Sequence, residues 1–169
     1  MPLLRISQQV IHGRARRIIE PRYMSNLLTG KHMLSQQSVT NLRKVKQFIL
    51  KEPRRFNMQA GVEPSRLISD QLEQPPCGTA CCIAGAAYII KNEIKLTGRK
   101  HGLHVFLPTV IMEGQLFLEL TYDQKETLFY PWHWPQPYMK LYEKAETAQE
   151  RAAVGALMIE HFIAAGGQV

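Results

Sequence analysis

The feature that most constrains this chain is the run Ala80-Cys81-Cys82-Ile83-Ala84-Gly85-Ala86-Ala87-Tyr88-Ile89-Ile90. Eleven consecutive positions without a charged or amide side chain have no face to offer water, so the rest of the fold must enclose them. The run is also well short of the roughly 20 residues needed to cross a bilayer. Pro75-Pro76 precedes it, and Cys77-Gly78-Thr79-Ala80-Cys81-Cys82-Ile83-Ala84-Gly85 reads as the opening of a central helix with Thr79 as its N-cap. Cys82, Ala86, Ala87, Ile90 and Ile94 then form one stripe, Ile83, Ala84 and Tyr88 fill the other faces, and Thr97-Gly98 ends the element. The small residues Ala84 to Ala87 predict close approach of neighbouring helices at that level.

Around this centre the periodicity is mostly helical. Val39, Leu42, Val45, Phe48 and Ile49 recur at three- and four-residue spacing opposite Lys44, Lys46 and Lys51, with Ser38 or Thr40 as caps and Pro53 as the stop. The stretch from Arg54 to Pro76 reads as a loop with one helical turn near Ser65 to Leu72, anchored by Phe56 and Met58. His101 to Pro108 has the residue types of a short strand or extended link. Val110, Met112, Leu116, Phe117 and Leu120 predict a short helix, and Thr121-Tyr122-Asp123-Gln124 is a capping box that starts another through Leu128 and Phe129. Pro131-Trp132-His133-Trp134-Pro135-Gln136-Pro137-Tyr138 holds three prolines and bars regular helix, so it reads as an ordered loop. A second capping box, Thr147 to Glu150, leads a helix that buries Ala152, Ala156, Ile159 and Ile163 and ends at Gly166-Gly167.

A chain of 169 residues with 45% hydrophobic content can bury a substantial core but does not suggest two full-sized domains. Its net charge of +7 is uneven, because residues 1 to 35 hold six Lys/Arg and one acid while the remainder is nearly balanced. We therefore expect a basic N-terminal tail over 1–35, either disordered or preceding a later true start at Met24 or Met33, and one helical domain over 36–169. Arg14, Arg16, Arg17 and Arg22 make the tail a candidate for nucleic acid or anionic lipid, although no aromatic platform accompanies them. Three cysteines within six positions cannot tie distant parts of a secreted fold together, and no apolar signal core follows Met1. The expectation is a cytoplasmic protein.

The chain resembles an uncharacterised family of small bacterial and phage-associated proteins. The likeness spans about residues 38 to 165 and rests on three features. They are Arg55-Phe56-Asn57-Met58, the C-G-T-x-x-C-x-A-G pattern at Cys77 to Gly85, and the helical turn from Leu118 to Phe129. It implies a domain boundary more than a role, since the family carries no settled activity, and it implies no pairing of the cysteines with histidines.

Three sets of residues could carry chemistry or recognition. If Thr79 caps the central helix, Cys81 and Cys82 occupy its first turn and Cys77 lies just before it, where exposed amides and the helix dipole favour a thiolate. A thiol hydrolase would also need a histidine in reach, and nothing in the spacing of His101, His104 and His133 selects one. Cys77 and Cys81 with His101 and His104 form two close pairs, a weak zinc signature. Trp132, His133, Trp134 and Tyr138 have the composition of a protein-recognition surface, since Trp and Tyr give large rigid contact area with a polar edge.

These readings lead to an expected fold and an expected role. The fold is a compact all-α bundle of four or five helices, with a minor β element allowed near 101–108. The role is a non-enzymatic binding or regulatory protein, without a cofactor, that contacts a protein partner through loop 131–138. The alternatives are a thiol- or zinc-dependent enzyme centred on Cys77, Cys81 and Cys82, and nucleic-acid binding through the tail.

Overall fold

The computed structural model describes residues 33–64, 79–96 and 103–169. Their order is helix α1 (Gln36–Lys51), strand β1 (Val62–Pro64), strand β2 (Thr79–Cys81), and helices α2 (Ile83–Lys91), α3 (Leu107–Leu118), α4 (Tyr122–Phe129), α5 (Tyr138–Lys144) and α6 (Ala148–Ala164). The architecture is the helical bundle that the periodicity predicts. None of the described helices is long and apolar enough to cross a membrane.

The run that opens the sequence argument is the centre of this core, and Ile83, Ala84, Ala86 and Ala87 have no exposed surface. Its entry differs from expectation. Thr79 does not cap a helix: Thr79 to Cys81 form β2, antiparallel to β1 with Val62 opposite Cys81 and Pro64 opposite Thr79. The helix begins three residues later than expected, with Cys82 as N-cap and its Sγ accepting from the Gly85 amide at 3.4 Å. An apolar run carries the same pattern in a buried strand as in a buried helix, so the backbone partners decide between them. Cys81 C=O accepts from Asn57 N at 3.1 Å, Cys82 N donates to Ala60 O at 2.9 Å, and Thr79 Oγ1 accepts from Leu103 N at 2.9 Å. Asn92 caps the end of α2, five residues before the expected stop at Thr97-Gly98, which lies outside the described residues.

Two close approaches lock α2 in place. A Cβ on Gly85 would come 2.0 Å from the Gly61 carbonyl oxygen, so the chain beside β1 passes directly over the first turn of the helix. On another side α3 crosses with Gly114 against Ala84, where a Cβ would lie 3.0 Å from the Ala84 carbonyl oxygen. The small residues thus set interhelical distance as their sizes predict.

Helix α1 starts one turn earlier than its expected caps, with Ser35 accepting from Ser38 N at 2.9 Å. Ser38 and Asn41 turn instead to α3. Ser38 Oγ donates to Leu118 O at 2.6 Å and Asn41 Nδ2 to Phe117 O at 2.7 Å, satisfying carbonyls that the end of α3 leaves open. Leu34 N donates to Gly166 O at 3.2 Å, so the folded part already includes residues assigned to the tail. Both capping boxes are formed, at Thr121/Gln124 and at Thr147/Glu150. The minor β element near 101–108 reduces, in the described part, to one antiparallel bridge between Val105 and Val62. The expected helical turn near 65–72 lies outside the described residues.

Candidate functional site

Loop 130–138 links α4 to α5 and separates its aromatic residues into two groups. Pro131–His133 makes a single 3-10 turn with Trp134 as its C-cap, and the two tryptophans differ sharply in burial. Trp134 is 3% exposed, donates Nε1–H to Leu128 O at 3.1 Å, and meets the Tyr142 ring edge-on at 5.5 Å. Composition groups it with the recognition residues, but the structure places it in the core: a ring enclosed to this degree has no face left for a partner. Trp132 is 65% exposed and packs on Tyr130 with centroids 5.0 Å apart. His133 is also exposed, its Nδ1 donating to Glu126 O at 3.1 Å, with ring edges toward Tyr130 and Trp132. Tyr138 is half-buried and packs on His161 of α6 at 5.2 Å.

Trp132 borders a pocket of about 390 Å³ whose walls include Met58, Met139, Tyr142, Glu143 and Arg151. Its volume falls at the lower end of the range for ligand and side-chain pockets. Tyr142 forms the fixed wall. Its hydroxyl accepts from Met58 N at 2.8 Å, its ring is T-shaped to Phe56 at 6.2 Å, and the Arg151 guanidinium lies 5.7 Å from its centroid. The site therefore combines polarizable thioethers, two aromatic rings, one cation and one anion, a lining that accepts varied apolar side chains and orients polar neighbours. Sequence reading flagged Met58 only as an anchor and missed Met139, Tyr142, Glu143 and Arg151. The Tyr138/Tyr142 spacing of four residues was the available signal, since it places two aromatics on one face of a helical turn.

Next to the loop, Lys125 is 8% exposed. Burial opposes its charge, but the Glu126 carboxylate at 2.6 Å and the Tyr122 ring outweigh that, and its pKa lies above the ordinary lysine value.

The other candidates are not assembled into sites among the described residues. Cys81 and Cys82 are buried, at 0% and 4% exposure, and neither occupies the first turn of a helix with its thiol open to solvent. Cys81 lies in strand β2 and not in the first turn of the helix as expected, while Cys82 caps α2 with its sulfur accepting from the Gly85 amide. Cys77 and His101 lie outside the described residues, and His104 is exposed. No group of three or more His, Cys, Asp or Glu side chains that could hold a metal ion occurs among the described residues. Arg14, Arg16, Arg17 and Arg22 also lie outside them. No protein family, curated protein or solved structure matches the chain.

Proposed function

We propose that the chain is a non-enzymatic binding protein that engages a protein partner with the outer face of loop 130–138, Trp132 foremost. The observation that carries this reading is the contrast between the two tryptophans. Trp134 fixes the loop to the core, while Trp132 is held 65% exposed on the rim of a pocket with a Met58 and Met139 lining. Large apolar rings displayed on a braced loop beside a concavity are the arrangement from which interface anchors are drawn, because little conformational freedom remains to be lost on docking. His133 adds an exposed hydrogen-bonding edge, and Tyr138 supports the base of the loop.

The test is quantitative affinity capture with the intact chain, its Trp132→Ala variant and a Leu157→Ala variant that removes an exposed apolar residue from α6. We expect partners that are retained by the native chain and by Leu157→Ala and lost with Trp132→Ala. Identical recovery by all three chains would sink the reading.

A further inference from the structure

Helix α1 concentrates positive charge on one side of the described fold. Residues 36–51 hold four Lys/Arg and no acid, whereas residues 52–169 hold eleven Lys/Arg and thirteen acids, so beyond this helix the balance is negative. The acid-free stretch extends past the helix, covering residues 21–51 with six Lys/Arg. Leu42, Val45 and Ile49 of α1 are packed into the core. The outer face carries Gln36, Thr40, Arg43 and Gln47 along its middle, with Lys44 and Lys51 on one flank, all of them exposed. The neighbouring carboxylates are engaged elsewhere. Glu160 pairs with Lys46 at 2.7 Å, Glu52 with Arg55 at 3.4 Å, and Glu119 accepts from Ser35 Oγ beside the helix start. Among the described residues no carboxylate lies within ion-pair distance of Arg43, Lys44 or Lys51.

From these observations we infer that the outer face of α1 docks on the phosphate backbone of duplex DNA. A helix face with cations and no acid draws a polyanion, and clustering of Lys/Arg along one helix is the electrostatic footprint of nucleic-acid binding. Two further features select duplex DNA among polyanions. The first is what lies between the cations. A basic helix that binds an anionic membrane inserts large apolar residues beside its charges. Those of α1 face the core, and on the outer side Leu50 alone is a large apolar residue with substantial exposure, at 45%. The middle of the face instead offers the amides of Gln36 and Gln47, which donate to phosphate oxygens and base edges.

The second feature is spacing. Lys44 and Lys51 stand two turns apart, about 11 Å along the axis, which is comparable with the ~12 Å width of the B-DNA major groove between its two phosphate rails. The A-form major groove of duplex RNA is too narrow for that placement, and an acidic protein surface has no paired rails at a fixed distance. Phosphate contacts make the binding independent of sequence and steeply dependent on salt. This surface and loop 130–138 are carried by different residues, and each proposal can fail without the other.

Fluorescence anisotropy of the full chain with a labelled duplex of about 20 base pairs, at about 50 to 200 mM salt, tests the inference. We expect micromolar binding at the lowest salt that weakens steeply as salt rises. The combined variant Arg43→Gln, Lys44→Gln, Lys51→Gln should weaken binding about tenfold or more and lower the salt slope by roughly 0.9 per lost phosphate contact. Lys140→Gln with Lys144→Gln, exposed cations of α5, and Trp132→Ala should leave both nearly unchanged. In competition at equal charge concentration, unlabelled DNA should displace the probe better than duplex RNA, polyglutamate or phosphatidylserine vesicles do. Acetylation of the native chain needs no variant: DNA should protect Lys44 and Lys51 and leave Lys140 and Lys144 reactive. Absence of binding up to about 100 µM protein overturns the inference. So does a competitor as effective as DNA. Unchanged affinity and slope in a folded triple variant, or no protection of Lys44 and Lys51, also overturns it, since that is the pattern of binding through Arg14 to Arg22 alone.

Discussion

At the scale of single residues, the effect of one added methyl group depends on which atoms it would meet. Gly85→Ala would drive a Cβ to 2.0 Å from the Gly61 carbonyl oxygen, a backbone atom that has no rotamer to escape into. We expect a loss of about 3 kcal/mol or more, read by urea denaturation. Gly114→Ala is the contrasting case, since its nearest contacts are 3.0 and 3.2 Å and alanine gains roughly 1 kcal/mol of helix propensity over glycine. Its net effect should stay within about 1 kcal/mol. The tryptophans divide in the same way: Trp134→Ala removes a buried, hydrogen-bonded ring and should cost about 3–5 kcal/mol, whereas Trp132→Ala should cost less than about 1 kcal/mol. Equal losses for the two variants would show that the loop is not divided into anchor and display. The sequence could not distinguish Trp132 from Trp134, because they flank the same histidine and differ only in that one lies within a 3-10 turn and the other caps it.

At the scale of elements, the start of α6 carries a prediction in pH. Glu150 Oε2 accepts from the backbone amides of Glu146 at 2.8 Å and Thr147 at 3.1 Å, and these two bonds hold its pKa below the ordinary glutamate value. The folded pKa is depressed, so the stabilisation is present above the unfolded value of about 4.3 and is lost as pH falls through the lower folded value. Glu150→Gln should therefore flatten the fall in melting temperature on acidification below pH 5 relative to the native chain. Thr147→Ala, which deletes the reciprocal half of the box, should cost about 1 kcal/mol at neutral pH. Both boxes and the glycine-rich end of α6 were legible from residue spacing because their partners are three residues apart and the bonds are local. The start of α2 was not. Whether Thr79 to Cys81 coil or extend is decided by Asn57, Ala60 and Val62, up to two dozen residues upstream. Helix α5 was missed for a related reason, since the prolines that precede it obscure where a new turn can begin.

At the scale of the whole molecule, the two described cysteines sit at the junction of β1, β2 and α2. Cys81 bridges both Val62 and Phe56, and Cys82 caps the central helix, so neither thiol can meet solvent unless β1, β2 and α2 separate. In a Cys77→Ser background, we expect alkylation of Cys81 and Cys82 to be slowed by the full unfolding equilibrium constant. The free energy derived from labelling should equal that from urea denaturation. Rapid labelling of the native protein would reveal a local opening at this strand and helix. The salt bridge between Lys46 of α1 and Glu160 of α6, 2.7 Å long and largely solvated, should contribute less than about 1 kcal/mol to the same total. The braced loop also has a spectroscopic consequence. With Trp134 enclosed by Tyr142 and Leu128 and Trp132 facing water, the chain holds two indoles in opposite environments within three residues. Their emission should separate into a blue component that collapses on unfolding and a red, quencher-accessible one that shifts only when something covers the loop.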